Sequence, residues 1–199
     1  SEVESPVLER PLCLQEWEPA YRLATYWPDR VECLPPPRPS PRLETLDEDA
    51  AKVVDDPESV DALLGIVEHW VNSSNGRAQA ACVEGDVRGA VAALGVSRAG
   101  IEQVSPTEAL AWLAWAAADG GAHARRRGAA AGRFAAWWAA HALVGLEWPV
   151  DPDQLGEEIG RLRWYLWTDG SPDTGWILQV AVESPAEGLA WALSAVDAE

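Results

Sequence analysis

His123, Arg125, Arg126 and Arg127 place an imidazole and three guanidinium groups within five consecutive residues. Such a density of positive charge suits an anion, because guanidinium forks match phosphate and carboxylate oxygens two at a time. Spacing extends the set. On a helix running from about residue 123 to 144, steps of seven, four and four residues put Arg126, Arg133, Trp137 and His141 on one stripe. The three arginines then fall in the helix's first turn, where the macrodipole is already positive and each exposed cation costs about 0.3–1 kcal/mol. That end demands an anion, either a ligand held with the free amides or an internal acid such as Asp119. His123, Arg125, Arg126, Arg127, Arg133, Trp137 and His141 are therefore the candidate anion-binding residues. Trp137 and His141 would suit a planar ligand by stacking, although a His beside a Trp on a helix is more often a partly buried packing residue.

Other chemistry is thinly represented. Glu68 and His69 have the elements of an acid–base or metal pair, but neighbours on a helix diverge by about 100° and no H-x-x-x-H or H-E-x-x-H spacing accompanies them. Cys13, Cys33 and Cys82 are odd in number and lack C-x-x-C spacing, so neither a disulfide framework nor a zinc site is expected. No G-x-S-x-G, Walker A, G-x-G-x-x-G or kinase signature occurs. No catalytic residue, metal or cofactor is assigned.

The 32 acidic residues against 15 basic ones give a formal net charge of −17, which repels phosphate backbones and makes nucleic acid a poor partner. The longest weakly polar run, residues 128–146, is interrupted by Arg133 and His141, so no membrane span is expected. Glu2, Glu4, Glu9 and Arg10 stand where a secretory signal would need an apolar stretch. With unpaired cysteines, these features point to a reducing cytoplasm.

Positioning these residues requires elements. Residues 1–43 contain Pro6, Pro11, Pro19, Pro28, Pro35, Pro36, Pro37, Pro39 and Pro41, which block sustained helix. Leu12, Leu14, Trp17, Tyr21, Leu23, Tyr26 and Trp27 are costly to leave in water, so this arm is expected to lie across the body. The acidic run from Glu44 to Asp56 reads as a solvated helix face. Asp56 as cap and Pro57 at the first position start a helix carrying Val60, Leu63, Leu64, Val67 and Val71. Residues 77–94 read as a short helical hairpin hinged at Glu84-Gly85-Asp86, although Ala78 to Val83 also fits a strand. Ser105-Pro106-Thr107-Glu108 is a capping box opening a helix, paired with the longer helix over 123–144. There Gly128 and Gly132 permit close backbone approach, and Phe134 with Trp138 forms an apolar ridge. Asp151-Pro152-Asp153-Gln154 caps a further helix carrying Leu155, Ile159 and Leu162.

The last forty residues alternate with a period of two. Leu162, Trp164 and Leu166, then Trp176, Leu178, Val180 and Val182, then Leu189, Trp191, Leu193 and Ala195 each fall on one face. Pairing Val182 with Leu189 and Val180 with Trp191 makes that face apolar across the strands. A helix over 185–197 behind Ser184-Pro185-Ala186-Glu187 competes with the third strand.

Arg163-Trp164-Tyr165-Leu166-Trp167, Gly188-Leu189-Ala190-Trp191-Ala192-Leu193 and the preceding Gly128 to Trp138 segment resemble a family of uncharacterised proteins from high-GC actinobacteria, over roughly residues 105–199. The resemblance implies no activity and supplies no site residues. The expected fold is α+β: a mainly helical body with a C-terminal three-stranded antiparallel meander and a Pro-rich N-terminal arm. The arm is 1–43 and a single domain covers 44–199, helical over 44–162 and sheet over 162–197. The expected function is an acidic binding or protein-interaction domain without catalytic activity, taking a small anion or a protein partner, with a homodimer open. The alternative is an enzyme acting on a small anionic substrate near Arg126, Arg133 and His141.

Overall fold

The computed structural model describes residues 11, 13–29, 31–47, 52–172 and 174–198, so Pro6 and Leu12 of the arm lie outside the described residues. Its centre is a seven-stranded, wholly antiparallel sheet curved into a half-barrel. In chain order the strands are a small separate hairpin, β1 (Thr25–Tyr26) with β2 (Val31–Glu32), then β3 (Glu44–Thr45), β4 (Lys52–Val54), β5 (Arg77–Glu84), β6 (Arg98–Val104), β7 (Arg163–Thr168), β8 (Trp176–Ser184) and β9 (Leu189–Asp197). Across the sheet the order is β3-β6-β7-β8-β9-β5-β4. Six helices accompany it: α1 (Pro57–Ile66), α2 (Glu68–Ser73), α3 (Val87–Ala92), α4 (Pro106–Ala118), α5 (Ala129–Leu143) and α6 (Pro152–Arg161).

This corrects the mainly helical body with a three-stranded meander: β3, β4, β5 and β6 all lie in the segment expected to be helical, and the meander β7-β8-β9 is the middle of a larger sheet. The stretch 77–94 is not a helical hairpin but β5 followed by α3. Ala-rich β5 favours helix by intrinsic propensity, yet eight residues pair with β9 from Arg77–Val196 to Glu84–Leu189, and tertiary pairing overrides a bias of tenths of a kcal/mol per residue. The acidic run is no helix face either, since β3 and β4 occupy its ends. The expected helix over Val60 to Val71 breaks at Val67 into α1 and α2. Residues 189–197 are strand, and their register is Val182–Trp191 and Val180–Leu193, two residues away from the expected pairing with the same face turned inward.

Caps behave as local chemistry requires. Asp56 accepts from Ser59 N, Ser105 and Glu108 form a complete capping box, and Asp151 accepts from Asp153 N and Gln154 N. The anticipated helix over 123–144 begins only at Ala129, because Gly128 sits at φ +87°, a left-handed conformation that ends any helical run entering it. Gly132 has a different role. A Cβ there would overlap the Ala114 carbonyl, so α5 crosses α4 at backbone contact, with Gly128 N reaching the Ala118 carbonyl one turn away.

One face of the sheet carries Trp164, Leu166, Leu178, Val180, Val182, Trp191 and Leu193 against α1, α4, α5 and α6. The opposite face packs Val83, Trp167, Ala181, Ala190 and Ala192 under α3. Trp70, Trp137, Trp164, Trp167 and Trp191 are fully buried, and each indole N–H has an acceptor. Burying an indole without one would forfeit much of the gain from its apolar surface. Trp191 donates to Asp56 Oδ2 at 2.7 Å, so the carboxylate that caps α1 also fastens it to β9. β7 stays paired with β8 only as far as Leu166–Val180; beyond that the strands part, and Arg38 Nη2 donates to the Ile177 carbonyl at 2.8 Å. No helix of the described residues is long and apolar enough to cross a membrane.

Candidate functional site

Of the cationic stripe, Arg133 and Trp137 do meet an anion, and it comes from the arm. Arg133 is bidentate on Glu18, with Nε to Oε1 and Nη2 to Oε2 both at 2.7 Å. Trp137 Nε1 donates to Glu18 Oε1 at 2.5 Å, Tyr21 Oη donates to the same oxygen at 2.7 Å, and Gln15 N reaches Oε2 at 2.8 Å. Arg133 also donates to the Pro11 and Cys13 carbonyls. Trp17 packs on Trp137 at 4.9 Å between ring centroids and donates to the Pro152 carbonyl, which ties the arm to α6. Glu18 is 7% exposed. Burial alone would raise its pKa, but the hydrogen bonds from Arg133, Tyr21, Gln15 N and Trp137 outweigh that and hold it below the ordinary carboxylate range. Arg133 is raised in turn, first by its hydrogen bonds to Glu18. Tyr21 is pushed far up by burial and by the adjoining carboxylate.

Arg126 meets a different acid. Its Nη1 stands 2.9 Å from Asp119 Oδ2, although the N–H is not aimed at that oxygen, which takes charge but no hydrogen bond. Asp119 is 2% exposed, and Oδ1 accepts from Trp176 Nε1 at 2.8 Å. Desolvation raises its pKa, with Arg126 and Trp176 opposing. The Asp119 carbonyl is shared by Trp70 Nε1 at 3.0 Å and His69 Nε2. Donation from Nε2 makes Nδ1 of the neutral ring an acceptor, and it is buried without a donor. Desolvation lowers the His69 pKa. The fully buried Asp197 accepts from Ala122 N through Oδ2 at 2.7 Å. These contacts pin the Gly120 to Arg127 loop on the ends of β8 and β9, where the arginines were expected to open a helix. The first-turn macrodipole argument therefore does not apply to them.

The remaining candidates are placed apart. His123, Arg125 and Arg127 are exposed on that loop. His141 is buried on α5, its Nδ1 3.0 Å from the Trp138 carbonyl and its ring between Trp138 at 4.9 Å and Trp148 at 5.3 Å. Arg126, Arg133 and His141 thus have three separate sets of partners. Among the described residues no three His, Cys, Asp or Glu side chains come together in a way that could hold a metal.

Sequence reasoning missed Glu18, which the sequence does not set apart from Glu16 on the other side of Trp17. It also missed where the surface is apolar. Of eight exposed large hydrophobic residues among those described, five belong to the arm: Leu14, Leu23, Tyr26, Trp27 and Leu34. Leu23, just before the β1–β2 hairpin, is 77% exposed and Tyr26, within it, 73%.

Fold and site together define an α+β domain on which a carboxylate-anchored arm displays apolar side chains. The chain belongs to the family of unknown function DUF6183, whose match spans residues 1–199, so the kinship covers the arm and the N-terminal strands as well as the C-terminal half. Comparison with curated proteins and with solved structures finds no match.

Proposed function

We propose that the protein is a binding domain without catalytic activity that docks a protein partner on its N-terminal arm. The observation that carries this reading is the concentration of exposed Leu, Tyr and Trp side chains on a segment fastened to the body by the Glu18–Arg133 pair. Exposed apolar groups gathered in one place mark interaction surfaces, and aromatic anchors dominate interface energetics. Fastening the arm in advance lowers the ordering cost of binding. Residues 11–43 carry four acids and four bases, so the net −17 is carried by the rest of the chain and the arm sits in the overall field of an anionic protein. A partner with an apolar patch and a basic rim fits that field better than a second copy does. Against the catalytic alternative stands the internal pairing of Arg126 with Asp119 and Arg133 with Glu18. A cytoplasmic location fits Cys13, Cys33 and Cys82, all free thiols.

The test is site-specific photo-crosslinking in cells, with Tyr26→p-benzoylphenylalanine compared with the same replacement at exposed Glu157. A discrete adduct at position 26 alone, abolished by Leu23→Ser with the melting temperature unchanged, supports the reading. Equal crosslinking at both positions, or an adduct indifferent to Leu23→Ser, overturns it.

A further inference from the structure

The second face of the sheet is only half covered. α3 lies over the rows Val83–Ala190–Glu183 and Ala81–Ala192–Ala181. Where that helix ends, the face changes character: Gln79, Ser194 and Gln179 stand side by side on β5, β9 and β8, followed by Arg77, Val196 and Ile177. Together with Asp169, from the loop joining β7 to β8, these two rows line a cleft of about 520 Å³. That lies within the roughly 300–1,000 Å³ of small-molecule sites.

Two internal hydrogen bonds set the polarity of its floor. Gln79 Nε2 donates to the Leu94 carbonyl at 3.0 Å, which leaves its carboxamide oxygen as an acceptor. Gln179 Oε1 accepts from Arg38 Nη1 at 3.1 Å, which leaves its NH2 group as a donor. Gln179 is only 4% exposed, so its orientation is held by the surrounding protein. Ser194 between them can donate or accept. Adjacent strands stand about 4.8 Å apart, so the acceptor, hydroxyl and donor span about 10 Å. The next row brings the Arg77 cation at the β5 side, and the Asp169 loop lies toward the β8 side. Asp169 spends Oδ1 on Ser171 N at 2.9 Å.

We propose that this cleft binds a short, extended peptide-like zwitterion of about tripeptide length. Its carboxylate meets Arg77, its ammonium group meets Asp169, and its backbone N–H and C=O groups meet Gln79, Ser194 and Gln179. Three extended residues reach about 10 Å, the width of the Gln79–Ser194–Gln179 row. Ile177 and Val196 supply apolar contact for small side chains. None of these residues belongs to the arm's apolar patch, so this inference stands or falls separately from the proposed partner surface.

The experiment is an amide NMR titration of the ¹⁵N-labelled full chain with tri-alanine, and with tri-alanine acetylated at its N-terminus and amidated at its C-terminus. The free peptide is expected to give saturable shifts confined to residues 77–79, 177–179 and 194–196. Arg77→Ala and Ser194→Val should each weaken binding at least roughly tenfold while leaving the thermal melt unchanged. Shifts that are absent or fail to saturate at millimolar peptide, or affinity unchanged in both variants, would overturn the proposal. Equal binding of the end-blocked peptide would overturn its zwitterionic part.

Discussion

A buried carboxylate stays ionised only where neighbouring donors replace its lost water, and Glu18 is met by five, two of them from Arg133. Arg133→Met leaves that carboxylate without its cation and is expected to cost about 3–5 kcal/mol in urea unfolding. The combination with Glu18→Gln should cost less than the two single changes summed. Because the folded pKa of Glu18 lies below the ordinary 4.5, its contribution is fully present above about that pH and is lost as pH falls through the depressed value. Stability measured from neutral pH down to about pH 3 should therefore fall more steeply in the wild type than in Glu18→Gln. The arginine loop makes a contrasting case. Arg126→Ala strands a buried acid and should cost roughly 1–3 kcal/mol, whereas Arg125→Ala and Arg127→Ala, both exposed, should stay within about 0.5 kcal/mol. A melting series with and without phosphate at matched ionic strength checks this. If Arg126 serves only Asp119, phosphate moves none of the four curves. That Arg126 and Arg133 sit beside acids agrees with their residue type. Which acid Arg133 meets was not legible, since Glu18 lies 115 positions from it and only the folded chain brings them together.

Elements whose cause is local were readable, and those whose cause is a distant partner were not. The caps at Asp56, Ser105 and Asp151 are side chains bonding backbone two or three residues away, so the helix starts at Pro57, Pro106 and Pro152 show directly in the sequence. β7, β8 and β9 show through alternation, which fixes the inward face but leaves the register free to slide by two residues. β5 carries Ala at three of its eight positions and is a strand because β9 and β4 lie on either side of it. β6 lacks sustained alternation, and its partners are distant in the chain, with Arg98 against Thr45 of β3 and Ile101 against Trp167 of β7. The α4–α5 crossing offers a sharp test of packing at this scale. Gly132→Ala drives a methyl group into the Ala114 carbonyl and should cost about 1–3 kcal/mol by thermal or denaturant unfolding. Gly160→Ala, on α6 with open space around it, should be neutral or stabilise by up to about 1 kcal/mol.

At the scale of the molecule, strand order and chain order run against each other. The middle of the sheet, β7-β8-β9, comes from the last part of the chain, while β3, β4, β5 and β6 flank it from the first part. β5 pairs with β9 and β6 with β7, and α1, α4 and α5 bury their apolar sides on the face those late strands make. Deleting residues 189–199 removes the strand between β8 and β5, so the shortened chain is expected to lose cooperative unfolding altogether; a sigmoidal urea transition of wild-type steepness would refute that. The same arrangement governs how the protein is born. A ribosome delivers the arm and every helix before the surface that is to receive them, so about 160 residues must wait outside the exit tunnel with their tryptophans uncovered. During that wait the apolar sides of the helices have no sheet to cover them, and any chain that stops short of β9 lacks the strand that joins β8 to β5.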